Sequence, residues 1–111
     1  MIDWMRAAEL YEDFGEEQFV EILEAFVLDI KTGREQLVAA VVPEEQRAAF
    51  HFLKGAALNI GLSEVAKNCA LGERAVANAG NVAEIKAEVL NCADLDCMVL
   101  LREWRARLGV G

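Results

Sequence analysis

The chain has 111 residues, of which 55% are hydrophobic and only one is proline, and this composition predicts a single compact domain over 1–111 rather than a disordered tail. Nineteen acidic residues against eleven basic residues give a formal net charge of −8. Such an acidic surface argues against nucleic acid and anionic membranes as partners, because binding to phosphate groups needs clustered Lys and Arg.

The N-terminal part of the chain shows helical periodicity. Asp3 is a suitable N-cap, and we expect a short helix from Asp3 to about Asp13 that ends near Gly15. A longer helix is predicted from Glu16 to about Val42, because apolar residues recur on one of its sides. These apolar residues are Phe19, Ile22, Leu23, Phe26, Ile30, Leu37 and Val41.

Pro43 is expected to end this second helix and to begin a third. Proline suits the first helical position because its φ is already fixed, and Glu44 and Glu45 complement the positive end of the helix dipole. The third helix is predicted to run to about Ile60, where Gly61 is a suitable left-handed cap.

The C-terminal half of the chain predicts two further helices. Ser63 is the expected cap of a fourth helix that reaches about Ala79. Asn81, with Glu84 three residues later, resembles a capping box and is expected to open a last helix toward Leu108.

The connections between these long amphipathic helices are short, which implies antiparallel neighbours. The weak point is the polar stretch from Asn91 to Asp96, which could kink the last helix. We therefore expect an all-α protein, an up-down antiparallel four-helix bundle with an additional short N-terminal helix.

His51 is the only histidine of the chain. At about 100° per residue, the apolar residues of the third helix fill an arc centred near Leu53, and His51 lies roughly 160° from that centre. The arc contains Ala49, Phe50, Leu53, Ala57 and Ile60. A lone histidine in a helix is most often a packed or idle residue, but this one faces away from the predicted core and is therefore a candidate reactive group.

The residues that share a face with His51 support this interpretation. Gly55 lies one turn further on, where a glycine costs about 1 kcal/mol relative to alanine, so it is expected to clear space beside the imidazole. Lys54 offers a positive charge for an oxyanion held by the histidine, and Arg47 adds a second cation. Leu58 extends the face as an exposed apolar spot, which indicates a docking surface rather than a deep pocket.

One continuous stretch of about 23 residues connects these features to a known family. It reads His51-Phe-Leu-Lys-Gly-Ala-Ala-Leu-Asn-Ile-Gly-Leu and is followed by Val65, Cys69, Leu71 and Glu73. This stretch resembles the motif of histidine-containing phosphotransfer (HPt) domains, H-x-L-K-G-[SA]-[SA]-x-x-x-G with a C-x-x-L-E-like ending. Two departures are visible: Ala56 and Ala57 stand where the family often has serine, and Gly72 stands where it commonly has leucine, so looser packing is expected at Gly72.

The resemblance implies a phosphocarrier of a multistep two-component phosphorelay. His51 would accept a phosphoryl group from an aspartate of one receiver domain and pass it to an aspartate of another, with Lys54 and Gly55 completing the site. The chain would then be no ATP-using enzyme, in agreement with the absence of a P-loop or G-x-G-x-x-G motif. Neutral imidazole is abundant at cellular pH and carries a nucleophilic ring nitrogen, so no general base is needed.

The implied partners are the receiver domains of a hybrid histidine kinase and of a response regulator. Arg47, Leu58 and, if the bundle brings it near, Arg74 are the candidate contact residues for these acidic domains. The receiver would supply Mg²⁺, so we expect no cofactor and no metal site in this chain. A self-sufficient bundle also favours a monomer.

Three other functions stay open at this point. The bundle could be an adaptor without phosphorylation, although such a protein has no reason to keep His51, Lys54 and Gly55 together. It could be the phosphoacceptor module of a chemotaxis-type kinase, which shares this helix motif. A helical metal or haem site is the third, but a single histidine offers only one ligand.

The cysteines bear on location. Cys69, Cys92 and Cys97 are an odd number without a C-x-x-C pair, which favours packed free thiols in a reducing compartment over a disulfide framework. No apolar stretch is long enough to cross a bilayer, and no secretory pattern is recognisable near Met1. We therefore expect a cytoplasmic protein.

Overall fold

The structure is a computed structural model that describes all 111 residues, and it contains four helices and no strand. The helices are α1 (Trp4–Ala39), α2 (Pro43–Ile60), α3 (Ser63–Ala77) and α4 (Ala83–Arg107). Helices α2 and α4 each pack on both α1 and α3, whereas α1 does not pack on α3, nor α2 on α4. The predicted all-α class is confirmed, and the helices form a compact bundle with dimensions of 48 × 20 × 19 Å. None of them combines the length and the apolar character that crossing a membrane requires.

The start of α1 agrees with the prediction from the sequence. The carboxylate of Asp3 accepts hydrogen bonds from the backbone amides of Met5 and Arg6 and so caps the helix. Within α1, Gly15 has a φ of +78°, in the left-handed region that favours glycine. The helical geometry is therefore interrupted at the residue where the sequence predicts a boundary.

The end of α1 differs from the prediction. The helix ends at Ala39 instead of Val42, because the amides of Val41 and Val42 donate to the carboxylate of Glu45 at 3.1 and 3.3 Å. These two hydrogen bonds lower the pKa of Glu45, since they favour its charged form. The placement of Val41 on the apolar side of the helix was wrong, because this residue is 79% exposed.

The boundaries of α2 are the predicted ones. Pro43 is its first residue, and Gly61 ends it with a φ of +88°. Ser63, however, does not cap α3: it is the first helical residue, and its hydroxyl lies 3.5 Å from the carbonyl oxygen of Gly61. Helix α3 ends at Ala77, just before the expected Ala79.

Helix α4 forms only half of the predicted capping box. The side-chain oxygen of Asn81 accepts a hydrogen bond from the amide of Ala83 at 2.9 Å, but no side-chain hydrogen bond returns from Glu84. The helix then runs without interruption to Arg107, so the kink considered for Asn91 to Asp96 is absent.

The core side of α2 is also as predicted, since all five residues of its apolar arc are buried. The expectation of loose packing at Gly72 was wrong. A Cβ added at Gly72 would lie 2.6 Å from ring atoms of Phe50, so the Phe50 ring already occupies the space of the missing side chain. Gly33 of α1 plays the same part on the other side, where an added Cβ would lie 2.8 Å from Leu53. Helix α2 is therefore held closely between α3 and α1.

Candidate functional site

His51 lies on the outer face of α2, with 73% of its side chain exposed. The residues on either side of it in the chain differ in environment: Phe50 is fully buried in the core, whereas Phe52 is 38% exposed. The imidazole therefore projects into solvent next to a residue that is anchored in the core, and the exposed position agrees with the helical wheel.

A carboxylate from α3 contacts this imidazole. Oε1 of Glu73 lies 3.3 Å from Nδ1 of His51. Since an ionised carboxylate only accepts hydrogen bonds, this contact favours the tautomer in which Nδ1 carries the proton. Nε2 is then left with a free electron pair on the exposed side of the ring.

The close packing of α2 on α3 explains why Glu73 reaches His51. Phe50 and Gly72 are the residues just before His51 and Glu73, and the ring of Phe50 rests where a side chain at Gly72 would be. A larger residue at Gly72 would push the two helices apart at this level. The glycine thus brings the carboxylate to the imidazole.

Lys54 is paired with the same carboxylate. Its Nζ lies 3.0 Å from Oε1 and 3.2 Å from Oε2 of Glu73, and 28% of its side chain is exposed. The sequence predicts a cation beside His51, and the structure places it there, but bound to Glu73 rather than free. One carboxylate therefore holds both the lysine and the histidine.

The surface beside the imidazole is open. A Cβ added at Gly55 would meet nothing within 4 Å, so the glycine is not required by packing. Leu58 is 57% exposed on the same face, and Phe52 leaves 38% of its surface exposed. The site is a shallow surface with apolar margins.

Two further arginines flank the site. Arg47 and His51 line one shallow depression, and Arg47 also lines a second one together with Lys54, Glu73 and Arg74. Helix α3 thus places Arg74 at the site, a proximity that the sequence left open. Neither arginine forms an ion pair within the chain, so both charges are available to an acidic partner.

No protein-family model, curated protein sequence or solved structure matches this chain. The role of the site is therefore inferred from its geometry and chemistry.

The thiols offer no competing nucleophile. All three cysteines are free, and burial raises the pKa of Cys69 and Cys92 to about 12 and that of Cys97 to about 11. At neutral pH they are protonated and therefore weakly reactive. No group of three or more His, Cys, Asp or Glu side chains is arranged to hold a metal ion.

Glu73 and Phe52 are the site residues that the sequence did not single out. Glu73 belongs to the motif-like stretch, but its contact with His51 depends on how α3 packs against α2. Phe52 was assigned no role from the sequence; it follows His51 directly in the chain and is 38% exposed.

Proposed function

We propose that this chain is a histidine phosphocarrier of the HPt type, which takes a phosphoryl group from an aspartyl phosphate of one receiver domain and gives it to an aspartate of another. The observation that carries the proposal is the contact of His51 Nδ1 with Glu73 on an exposed helix face. This contact leaves Nε2 as an unprotonated nucleophile directed at solvent.

The transfer step follows from this arrangement. The electron pair of Nε2 attacks phosphorus, an Nε2–P bond forms, and the P–O bond to the aspartate breaks so that the carboxylate leaves with its electrons. The Nδ1 proton stays in place, so the ring gains positive charge as the new bond forms. The carboxylate of Glu73 faces that charge and stabilises it.

Lys54 supports the same step from the other side. Its ammonium group, one turn along α2, lies close enough to Glu73 to fix the position of the carboxylate. The same charge attenuates the repulsion between Glu73 and an incoming phosphoryl group. Mg²⁺ would come with the receiver, whose acidic site supplies the rest of the chemistry.

The surroundings of His51 suit a docked protein domain. The space above Gly55 gives access to the imidazole, and Leu58 and Phe52 provide apolar contact area. Arg47 and Arg74 carry positive charge beside the site on a chain of charge −8, and Glu44 shares the depression that Arg47 and His51 line. The two arginines are complementary to the acidic cleft of a receiver.

The finer fold expected for such a carrier is an up-down bundle with an N-terminal helix in front of it. Antiparallel packing of α1 on α4 is supported by two ion pairs, Arg34 with Asp94 and Glu16 with Arg105. A separate first helix is supported by the interruption of helical geometry at Gly15. The segment before Gly15 packs on the core through Tyr11, whose ring meets Phe19 edge to face.

The decisive experiment is phosphoryl transfer from a labelled receiver domain to the purified chain. We expect acid-labile label on the wild type and none on His51→Gln, which should keep its helical spectrum because the imidazole is exposed. Failure of a range of phosphorylated receivers to label the wild type, or equal label on His51→Gln, would refute the proposal.

A matched pair of lysine variants tests the charge. Lys54→Ala should slow transfer by roughly ten- to a hundredfold, since a hydrogen bond to a charged group contributes about 1.5–3 kcal/mol. Lys67→Ala, which removes an exposed lysine from α3, should leave the rate unchanged. Equal rates for the two variants would show that Lys54 is only a surface charge.

A further inference from the structure

The outer face of α4 carries an ordered pattern of charge that phosphoryl transfer does not use. The face is acidic in the first half of the helix, apolar in the middle and basic in the last half. In chain order its exposed residues include Glu84, Glu88, Asn91, Asp94, Leu95, Met98, Leu101, Arg102 and Arg105. Such a face is complementary to itself when it is turned end for end.

The apolar middle of this face is exposed. Leu95, Met98 and Leu101 are 55%, 47% and 45% exposed, and they are neighbours on the helix surface. A groove between α4 and α1 continues this surface inward, and Val27 and Ile30 line it on the α1 side. Lys31 and the Arg34–Asp94 ion pair also line this groove. Contiguous apolar surface of this kind marks an interaction site more often than single exposed residues do.

We infer that the outer face of α4 binds a second copy of this chain, with the two α4 helices antiparallel and the twofold axis between Leu95 and Met98. In this register Leu95 lies opposite Met98 of the partner subunit, and Glu88 lies opposite Arg105 of the partner subunit. Arg105 pairs with Glu16 of its own chain at 3.2 Å, so Glu88 would join an existing ion pair. The twofold axis repeats each contact, so every acidic half faces a basic half.

The charge pattern argues against other occupants. A membrane surface or a nucleic acid would attract the basic half and repel the acidic half, which Glu84 and Glu88 begin. A second copy satisfies both halves at once. The sequence favours a monomer because the bundle is self-sufficient, but a self-sufficient core does not prevent association through an exposed face.

The dimer would leave the phosphoacceptor free. Helix α2 does not pack on α4, so His51 and the α4 face belong to helices on opposite corners of the bundle. Two copies joined through α4 would present their histidines outward on separate sides. The dimer is therefore compatible with receiver docking but does not depend on it.

Sedimentation velocity over a wide range of protein concentration tests this inference. The wild type should shift from monomer to dimer as concentration rises. Met98→Glu should weaken the association constant by more than about a hundredfold, because the dimer would bury two carboxylates in its apolar middle. Val41→Glu is the matched control, since Val41 is an exposed valine of the α1–α2 connection and is not part of the outer face of α4, and it should associate like the wild type.

Substitutions of Asn91 test the register. Asn91 lies opposite Arg102 of the partner subunit, so Asn91→Glu should raise the association constant by about two- to tenfold and Asn91→Arg should lower it. The effect on the stability of a single chain should be the opposite: Asn91→Arg is favoured over Asn91→Glu there, because Glu88 and Asp94 are the near neighbours of Asn91 on the helix. A wild type that stays monomeric at all concentrations, or association unaffected by Met98→Glu, would overturn the inference.

Discussion

Two glycine-to-alanine substitutions in the bundle should change stability in opposite directions. Gly55 and Gly72 are both inside helices, so alanine is intrinsically favoured at each by about 1 kcal/mol. At Gly55 an added Cβ meets nothing within 4 Å, and the whole gain should appear in the free energy of unfolding. Gly55→Ala is therefore expected to stabilise the protein by about 0.5–1 kcal/mol.

At Gly72 the gain is outweighed by a steric conflict. The new Cβ would lie 2.6–2.7 Å from three ring atoms of Phe50, which is fully buried. Overpacking of a core costs about 1–3 kcal/mol, and so close a contact belongs in the upper half of that range. After the helical gain is subtracted, Gly72→Ala should destabilise the protein by about 1–2 kcal/mol.

Thermal unfolding followed by far-ultraviolet circular dichroism measures both variants under the same conditions. At roughly 4 °C per kcal/mol for a domain of this size, their melting temperatures should differ by about 10 °C, with the wild type between them. A Gly72→Ala variant at least as stable as the wild type would refute the close packing of α3 on Phe50. It would also mean that close packing at Gly72 is not what brings Glu73 to His51.

Other outcomes follow from the site. Glu73→Ala should remove the acceptor for the Nδ1 proton of His51. Nitrogen chemical shifts of the ring should then report a larger share of the Nε2–H tautomer, and an unchanged spectrum would mean that the contact between Glu73 and His51 is not formed in solution. Gly55→Gln should stay folded but transfer phosphate from a receiver at least about tenfold more slowly, because its side chain overhangs the imidazole one turn away, and an unimpaired rate would show that the open space has no function. Thiol reagents should react with the folded protein at pH 8 at least about a hundredfold more slowly than with the unfolded chain, since burial raises the pKa of thiols such as Cys69 to about 12.

The parts of the fold that the sequence predicts well are those determined by local chemistry. Pro43 and Gly61 bound α2 as expected, because a fixed φ and a left-handed cap act on their own residues. The predicted end of α1 was wrong because it depends on Glu45, a hydrogen-bond acceptor further along the chain. Glu45 draws the amides of Val41 and Val42 out of the helix, and this becomes visible only when the start of α2 is in place.

The site divides in the same way. The exposure of His51 and the open space at Gly55 follow from the helical wheel of a single helix. The environment of Lys54 does not, because its partner Glu73 lies on another helix. That pairing depends on the register between α2 and α3, which the contact of Phe50 with Gly72 determines and which no single-helix pattern contains.

The pairing also bears on how a carrier could release what it accepts. In the proposed transfer, the phosphorylated ring keeps its Nδ1 proton against Glu73, so it leaves as a neutral imidazole when the next aspartate attacks. Lys54 is already paired with Glu73, so it does not bind the phosphoryl group as a free cation. The same carboxylate thus assists attack and departure, which is what transfer in both directions requires.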